Sequence, residues 1–396
     1  MKITTFGEIL ELQRGYDLPA SAMVKGNIPV AGSNGVIGYH NVSKVQPPCI
    51  TVGRSGSVGK VHFYNEPIWA HNTSLFVSDF KGNNQKYIYY LLKSKNFAKL
   101  CDSSVVPSLN RNFVYPIKTL FEENKDKQKK IAAVLSTLDD KIALNRRMNE
   151  KLTAMAKRLY DHWFVQFDFP NADGTPYKAS GGKMEYNEVL KREIPAGWEV
   201  KSVNDISISY RGVGYSADDE KSVNDKDVVL VLRGNNISNN HIVYDSNTVY
   251  LDKSFVSEEQ KINKFDIVMT MSSGSKEHVG KSAMFLFDSP HSYGAFCNKI
   301  TPNKECQFFL ENYLHSEFFK KYIKITCSGT GINNLTNEHF NKALFAFPTE
   351  KLLEYFNEKV GPIYEQIGML EKESLKLTVL RDRLLLLLMN GQVEVM

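Results

Sequence analysis

The chain lacks a long apolar run: the longest, 384–389, is far short of the roughly 18 residues that suggest a membrane span. Its beginning, MKITTFGEIL, has neither an apolar h-region nor a small-residue cleavage site, so secretion is not indicated and a cytoplasmic protein without membrane association is expected. Cysteine is scarce. Cys49, Cys101, Cys297, Cys306 and Cys327 stand singly, without a CxxC pair or Cys/His zinc spacing, which argues against structural zinc and a disulfide framework. A strong excess of one charge is missing too: 49 Lys and Arg against 44 Asp and Glu leave a net charge of +5, compatible with a polyanion partner but not diagnostic of one. With 42% hydrophobic and 23% charged residues, the composition is that of a folded globular protein, and a length of 396 residues predicts two or three domains.

What is present is a repeat. FGEILELQRGYDLP, a Gly/Asn stretch around GSNGVIGYHN and strand-like PCITVGRSGSVGKVHF are followed, in the same order, by VNDISISYRGVGYS, VVLVLRGNNISNN and FDIVMTMSSGSKEHVGKSAMF. Each half returns through a Leu/Asn turn, VPSLNRNF or GINNLTNEHF, to Pro116 or Pro348 ahead of a long helical pattern. The period is roughly 200 to 230 residues, and short Val/Ile/Phe/Tyr runs broken by Gly, Asn and Ser predict strand-rich domains.

The helical patterns are heptad seams. Ile131, Leu135, Leu138, Ile142, Asn145, Asn149, Leu152, Ala156, Leu159 and Trp163 recur at steps of four and three, as do Phe356, Val360, Ile363, Ile367, Leu370, Ser374, Leu377, Arg381, Leu384 and Leu388. Each predicts a helix of about 50 Å, and that length favours pairing of the two over packing of each on its own domain. Both seams turn polar near the middle, at Asn145 and Asn149 and at Ser374 and Arg381, which sacrifices stability to specify one register.

Catalytic chemistry is not legible. GSKEHVGKS at 274–282 invites a phosphate-binding loop, but six residues rather than five separate Gly274 from Gly280, and the matching GSVGKV lacks the Ser/Thr that would hold magnesium. There is no glycine-rich strand-to-helix turn of a Rossmann methyltransferase, and no acidic pair followed by a lysine for metal-dependent cleavage. Asp218, Asp219 and Glu220 read as a solvated charge run, and His71, His278 and His339 as isolated hydrogen-bonding groups. Side chains suited to DNA remain: Lys25, Asn27, Ser33, Asn34, Arg54, Ser55, Ser57, Lys60 and Asn72 in the first half, and Arg211, Arg233, Asn235, Asn236, Ser272, Ser273, Ser275, Lys276 and Lys281 in the second. Arg pairs bidentately with guanine and Asn with adenine, whereas Ser, Lys and backbone amides hold phosphates.

The run 158–200, RLYDHWFVQFDFPNADGTPYKASGGKMEYNEVLKREIPAGWEV, resembles the connector after the central helix of type I restriction-modification specificity subunits. The preceding KQKKIAAVLSTLDDKIALNRRMNEKL and the Pro-x-Gly-Trp at 195–198 resemble that family too. The resemblance implies an α+β fold in which two similar mixed α/β target recognition domains are separated by two long antiparallel coiled-coil helices with a pseudo-twofold internal repeat. The expected parts are a first recognition domain at 1–120, a central helix at 121–165, a connector at 166–197, a second recognition domain at 198–348 and a last long helix at 349–390. It further implies a non-catalytic subunit whose domains each read half of a bipartite duplex DNA target, with the helices setting the spacer. Two methyltransferase (M) subunits would dock on the helices and restriction (R) subunits would join them; S-adenosylmethionine, ATP and Mg would sit on those partners and no cofactor on this chain. Two readers on one face are best placed about a helical turn of DNA apart, roughly 34 Å. The residues alone leave two other readings open, a self-contained DNA methyltransferase or nuclease and a coiled-coil protein-interaction scaffold.

Overall fold

Short β-branched runs become strands and the two seams become helices in the computed structural model, which describes residues 1–97, 108–238, 240–244, 248–275, 277–327 and 333–395. By internal contact the chain divides into two units, Met1–Asn145 with Glu373–Met396, and Arg146–Lys372. In the first, Cys49–Gly53, with Thr51 in its middle, is buried along its whole length inside a four-stranded antiparallel sheet. The strand order is Glu11–Arg14, Ser74–Asp79, Cys49–Gly53, Val61–Tyr64. A three-stranded sheet runs Gly35–His40, Ile28–Gly32, Trp69–Ala70, its last pair parallel. Lys2–Thr5 pairs with Lys118–Phe121. The helix Gln85–Lys93, capped by the Asn84 side chain accepting from Tyr87 N, buries Ile88 and Leu91 in one core with Phe6, Ile50, Val52 and Leu75.

The second unit repeats this plan with other residues. Its four-stranded sheet runs Ser207–Arg211, Cys297–Pro302, Ile267–Thr270, Ser282–Met284; its three-stranded sheet runs Val249–Asp252, Val228–Leu232, Ser292–Tyr293, again with the last pair parallel. Glu199–Ser202 pairs with Leu344–Phe347, and Gln307–Leu314 takes the place of the capped helix. Counted along each unit, strand orders and directions are the same. The sequence repeat is therefore a repeat of fold.

Two glycines show how closely the copies correspond. Gly15 N donates to Ser74 O at 3.0 Å and Gly212 N to Cys297 O at 3.1 Å, each just after the outer strand of its four-stranded sheet. A Cβ would stand 2.1 Å from His71 O at Gly15 and 2.2 Å from Gly294 O at Gly212, against backbone that cannot step aside. Gly15→Ala and Gly212→Ala should each cost about 1–3 kcal/mol by overpacking. Thermal unfolding of the full chain tests this, and an unchanged melting temperature would show that the backbone yields.

The long helices are Lys125–Tyr160 and Glu350–Met389, the second continuing through Pro362 although proline removes one N–H from its ladder. Within the first unit they pair antiparallel: Asn145 Nδ2 donates to Glu373 Oε2 at 2.7 Å and to Ser374 Oγ at 3.3 Å, and Arg381 Nη1 donates to Asp139 Oδ1 at 2.8 Å. Ile131 and Leu135 are buried there with Leu385 and Leu388, while Leu138, Ile142, Leu377 and Leu384 are half-buried. Within the second unit Trp163 stacks on Tyr355 with centroids 5.3 Å apart, and Phe356, Val360, Ile367 and Leu370 are buried, with Leu152, Leu159 and Ile363 partly so. Asn145 and Asn149 are both buried, and the Oδ1 of each has no hydrogen-bond partner among the described residues, the cost that polar seam positions carry.

Candidate nucleic-acid interface

In the first unit the polar candidates gather where Cys49–Gly53 ends. Gly53 N donates to Lys60 O at 2.7 Å and Gly59 N back to Gly53 O at 2.8 Å, closing a turn that needs left-handed backbone at Gly56 and Gly59, both at φ +80°. A Cβ on Gly53 would stand 2.0 Å from Ser57 O and 2.8 Å from Ser33 O, so the hairpin tip carrying Ser33 and Asn34 presses against this turn. Arg54 Nη1 donates to Asn72 O at 3.3 Å, and Asn72 Nδ2 donates to Asp17 Oδ1, which also accepts from Arg14 Nη2 at 3.0 Å. Ser33, Arg54, Ser55, Ser57 and Asn72 are half-buried; Asn34 and Lys60 are exposed. Lys25 and Asn27, also exposed, lie at the opposite end of Ile28–Gly32, a five-residue strand of about 17 Å, and do not join the cluster.

The second unit builds the corresponding turn from Thr270 N to Lys281 O at 2.8 Å and Gly280 N to Thr270 O at 2.9 Å, with Gly280 again at φ +80°. The turn leads into the strand Ser282–Met284 and not into a helix N-terminus, which removes the phosphate-loop geometry. Ser272–Ser273 pairs with Asn333–Asn334, Ser275 N donates to Ser273 Oγ at 3.2 Å, and Lys281 Nζ lies 2.9 Å from His278 Nδ1. Lys276 lies outside the described residues. Arg233 lies beside Tyr215, whose hydroxyl burial pushes up while the guanidinium opposes the shift. Asn235 is exposed, and so is Arg211 at the end of its strand.

One candidate is corrected. Asn236 is fully buried: its Oδ1 accepts from Arg233 N at 2.9 Å and its Nδ2 donates to Val243 O at 3.0 Å. Its amide holds the loop and does not face a ligand.

Register and turn bonds pair the clusters position by position. Val30 opposite Trp69 corresponds to Val231 opposite Ser292, so Gly32 matches Arg233 and Asn34 matches Asn235. Arg54 N and Ser55 N donate to Thr73 O at 2.8 and 3.2 Å; Met271 N and Ser272 N donate to Phe296 O at 2.8 and 3.2 Å. Arg14 and Arg211 each precede the crowded glycine, and Lys60 and Lys281 each close the turn. The clusters thus share an arginine, an asparagine, a serine and a lysine. They differ at Arg54/Met271, Gly32/Arg233 and Thr73/Phe296. Arg14 was missed by reading the sequence, although the Arg-Gly of QRGYD recurs in YRGVGY and could have flagged it.

Burial pushes the thiols of Cys49 and Cys297 up to about 11 and about 12. Among the described residues no group of three or more His, Cys, Asp or Glu could hold a metal ion, and no helix is long and apolar enough to cross a membrane.

Comparison with known proteins agrees with this architecture. Residues 1–154 match the family model of the type I restriction modification DNA specificity domain. Over 180 residues the chain is 32% identical to the type I restriction enzyme StySPI specificity subunit of Salmonella potsdam, covering 44% of this chain and 38% of that protein. Over 344 residues it is 25% identical to the MjaIX specificity subunit of Methanocaldococcus jannaschii, covering 85% and 76%. The match thus spans only 38% of the length of the StySPI subunit, and likewise of the Escherichia coli EcoKI subunit. The crystal structure of a type I restriction-modification S subunit from M. genitalium shares the fold, with a TM-score of 0.54 at 17% identity over 98% of this chain and 96% of that one. The chain thus matches the type I restriction modification DNA specificity domain over residues 1–154 and is similar to type I specificity subunits, in one case along 85% of its length.

Proposed function

We propose that this chain is a non-catalytic subunit that reads a bipartite duplex DNA target, one half through each unit. The observation that carries the reading is the pairing of the two clusters: one scaffold, with some polar side chains retained and others exchanged. Phosphate contacts position a protein without reading sequence, whereas base contacts specify. Retained groups therefore suit phosphates: Arg14 and Arg211, Ser55 and Ser272, Lys60 and Lys281. Exchanged groups suit bases: Arg54 in the first unit and Arg233 in the second. The paired helices set the spacer and, with the recognition domains, dock two methyltransferase subunits carrying S-adenosylmethionine; restriction subunits using ATP and Mg complete the assembly. The names of the relatives support this reading, since each is called a specificity subunit of a type I restriction enzyme.

Binding of duplex DNA to single variants tests it. Arg54→Ala and Arg233→Ala should each cost about 1–3 kcal/mol and relax sequence preference in one half of the target only. Lys60→Ala and Lys281→Ala should weaken all duplexes alike and reduce the salt slope by about one. Unchanged affinity for Arg54→Ala and Arg233→Ala would remove them as base readers. Binding insensitive to salt would favour the protein-interaction scaffold.

A further inference from the structure

We infer that Phe296 packs its ring against a base in the half-site read by the second unit, a contact without a counterpart in the first; the inference rests on the proposed DNA reading. The ring is 69% exposed and makes no ring contact among the described residues. Its backbone is held, because the Phe296 carbonyl accepts both Met271 N and Ser272 N and Cys297 N donates to Gly294 O at 2.8 Å. An aromatic ring is thus displayed on a pinned turn beside Ser272. A single exposed apolar side chain needs no explanation by itself. Here the position supplies one: Thr73, its equivalent, has its hydroxyl engaged 2.9 Å from His71 Nδ1. The same backbone site therefore carries a small polar group in one unit and a projecting ring in the other.

Bases offer such a ring two surfaces, a stacking face exposed at a deformed step and the thymine methyl in the major groove. Both are apolar base contacts, and either makes Phe296 a specificity determinant of one half-site. A docked protein would use the ring without reading sequence.

The test is selection from a pool of randomised duplexes by the chain assembled with its cognate methyltransferase subunits, comparing wild type, Phe296→Ala, Phe296→Leu and Thr73→Ala. Wild type should enrich a two-part motif. Phe296→Ala should lose preference at one or two positions of a single half and bind the wild-type motif about tenfold more weakly. Phe296→Leu should retain part of that preference, and Thr73→Ala should leave the half read by the second unit unchanged. A Phe296→Ala motif identical to that of wild type, with affinity within about twofold, overturns the inference. So does loss of methyltransferase association with the motif unchanged, which would make the ring a protein contact. Failure of wild type to enrich any motif would instead overturn the DNA reading itself.

Discussion

Asp266→Ala is expected to destabilise the second unit by about 3–5 kcal/mol. Asp266 and Lys299 are only 2% and 4% exposed at their side chains, with Nζ and Oδ2 3.4 Å apart. The carboxylate also accepts from Asn263 N at 2.7 Å and Thr301 Oγ1 at 2.6 Å, while Lys299 Nζ donates to Lys261 O at 2.8 Å and faces the Tyr210 ring at 5.0 Å. Removing the carboxylate leaves an ammonium in a place with almost no water. A carbonyl and a ring compensate it only in part. Lys299→Met should also destabilise, and Asp266→Ala combined with Lys299→Met should cost less than the sum, because neither charge is then stranded. Urea unfolding of the full chain and its three variants measures this coupling; strictly additive effects would mean the pair is not coupled. The consequence reaches the polar cluster, since Ile267–Thr270 leads into the serine turn and Cys297–Pro302 begins one residue after Phe296.

If each unit reads half of a DNA target as proposed, exchanging residues 1–124 for the equivalent part of a type I specificity subunit should replace one half of the motif and leave the other half unaltered. The boundary follows from local structure: the Asn124 side chain accepts from Asp126 N at 2.9 Å and Lys127 N at 3.1 Å, so the graft ends on the cap of the first long helix. The graft must still cover Ile131, Leu135, Leu385 and Leu388, which close the core of the first unit. A chimera matched in that seam keeps the register held by Asn145 with Ser374 and Arg381 with Asp139. Sequencing the methylated sites in a host that expresses the chimera and the modification subunit reads the result. A motif altered in both halves would contradict independent reading by two units.

Reading the sequence reached the repeat and the helices because both are periodic. A period survives without knowledge of contacts: hydrophobic steps of four and three mark the seam, and the order of parts marks the copies. What escaped lay in contacts between distant residues. Asn236 looked like a loop amide among Gly, Asn and Ser, yet it is fully buried, with its backbone carbonyl accepting from Val243 N and its side-chain amide donating to Val243 O. Nothing in the sequence sets Phe296 apart from a core aromatic; its exposure follows from the turn, where Met271 N and Ser272 N donate to its carbonyl and the ring stays outside. The pair Asp266 and Lys299 is joined only by the register of Ile267–Thr270 against Cys297–Pro302. Lys25 and Asn27 were grouped with Ser33 and Asn34 by nearness in sequence, which a strand between them turns into distance.

The most direct measurement is to sequence the methylated adenines of a host carrying this chain with the methyltransferase subunit proposed to dock on it, against the same host lacking only this chain. A split motif, two short defined halves around an undefined spacer, should be methylated in the first host and absent from the second. With both proteins confirmed as expressed, an identical methylation pattern in the two hosts would contradict sequence reading by this chain.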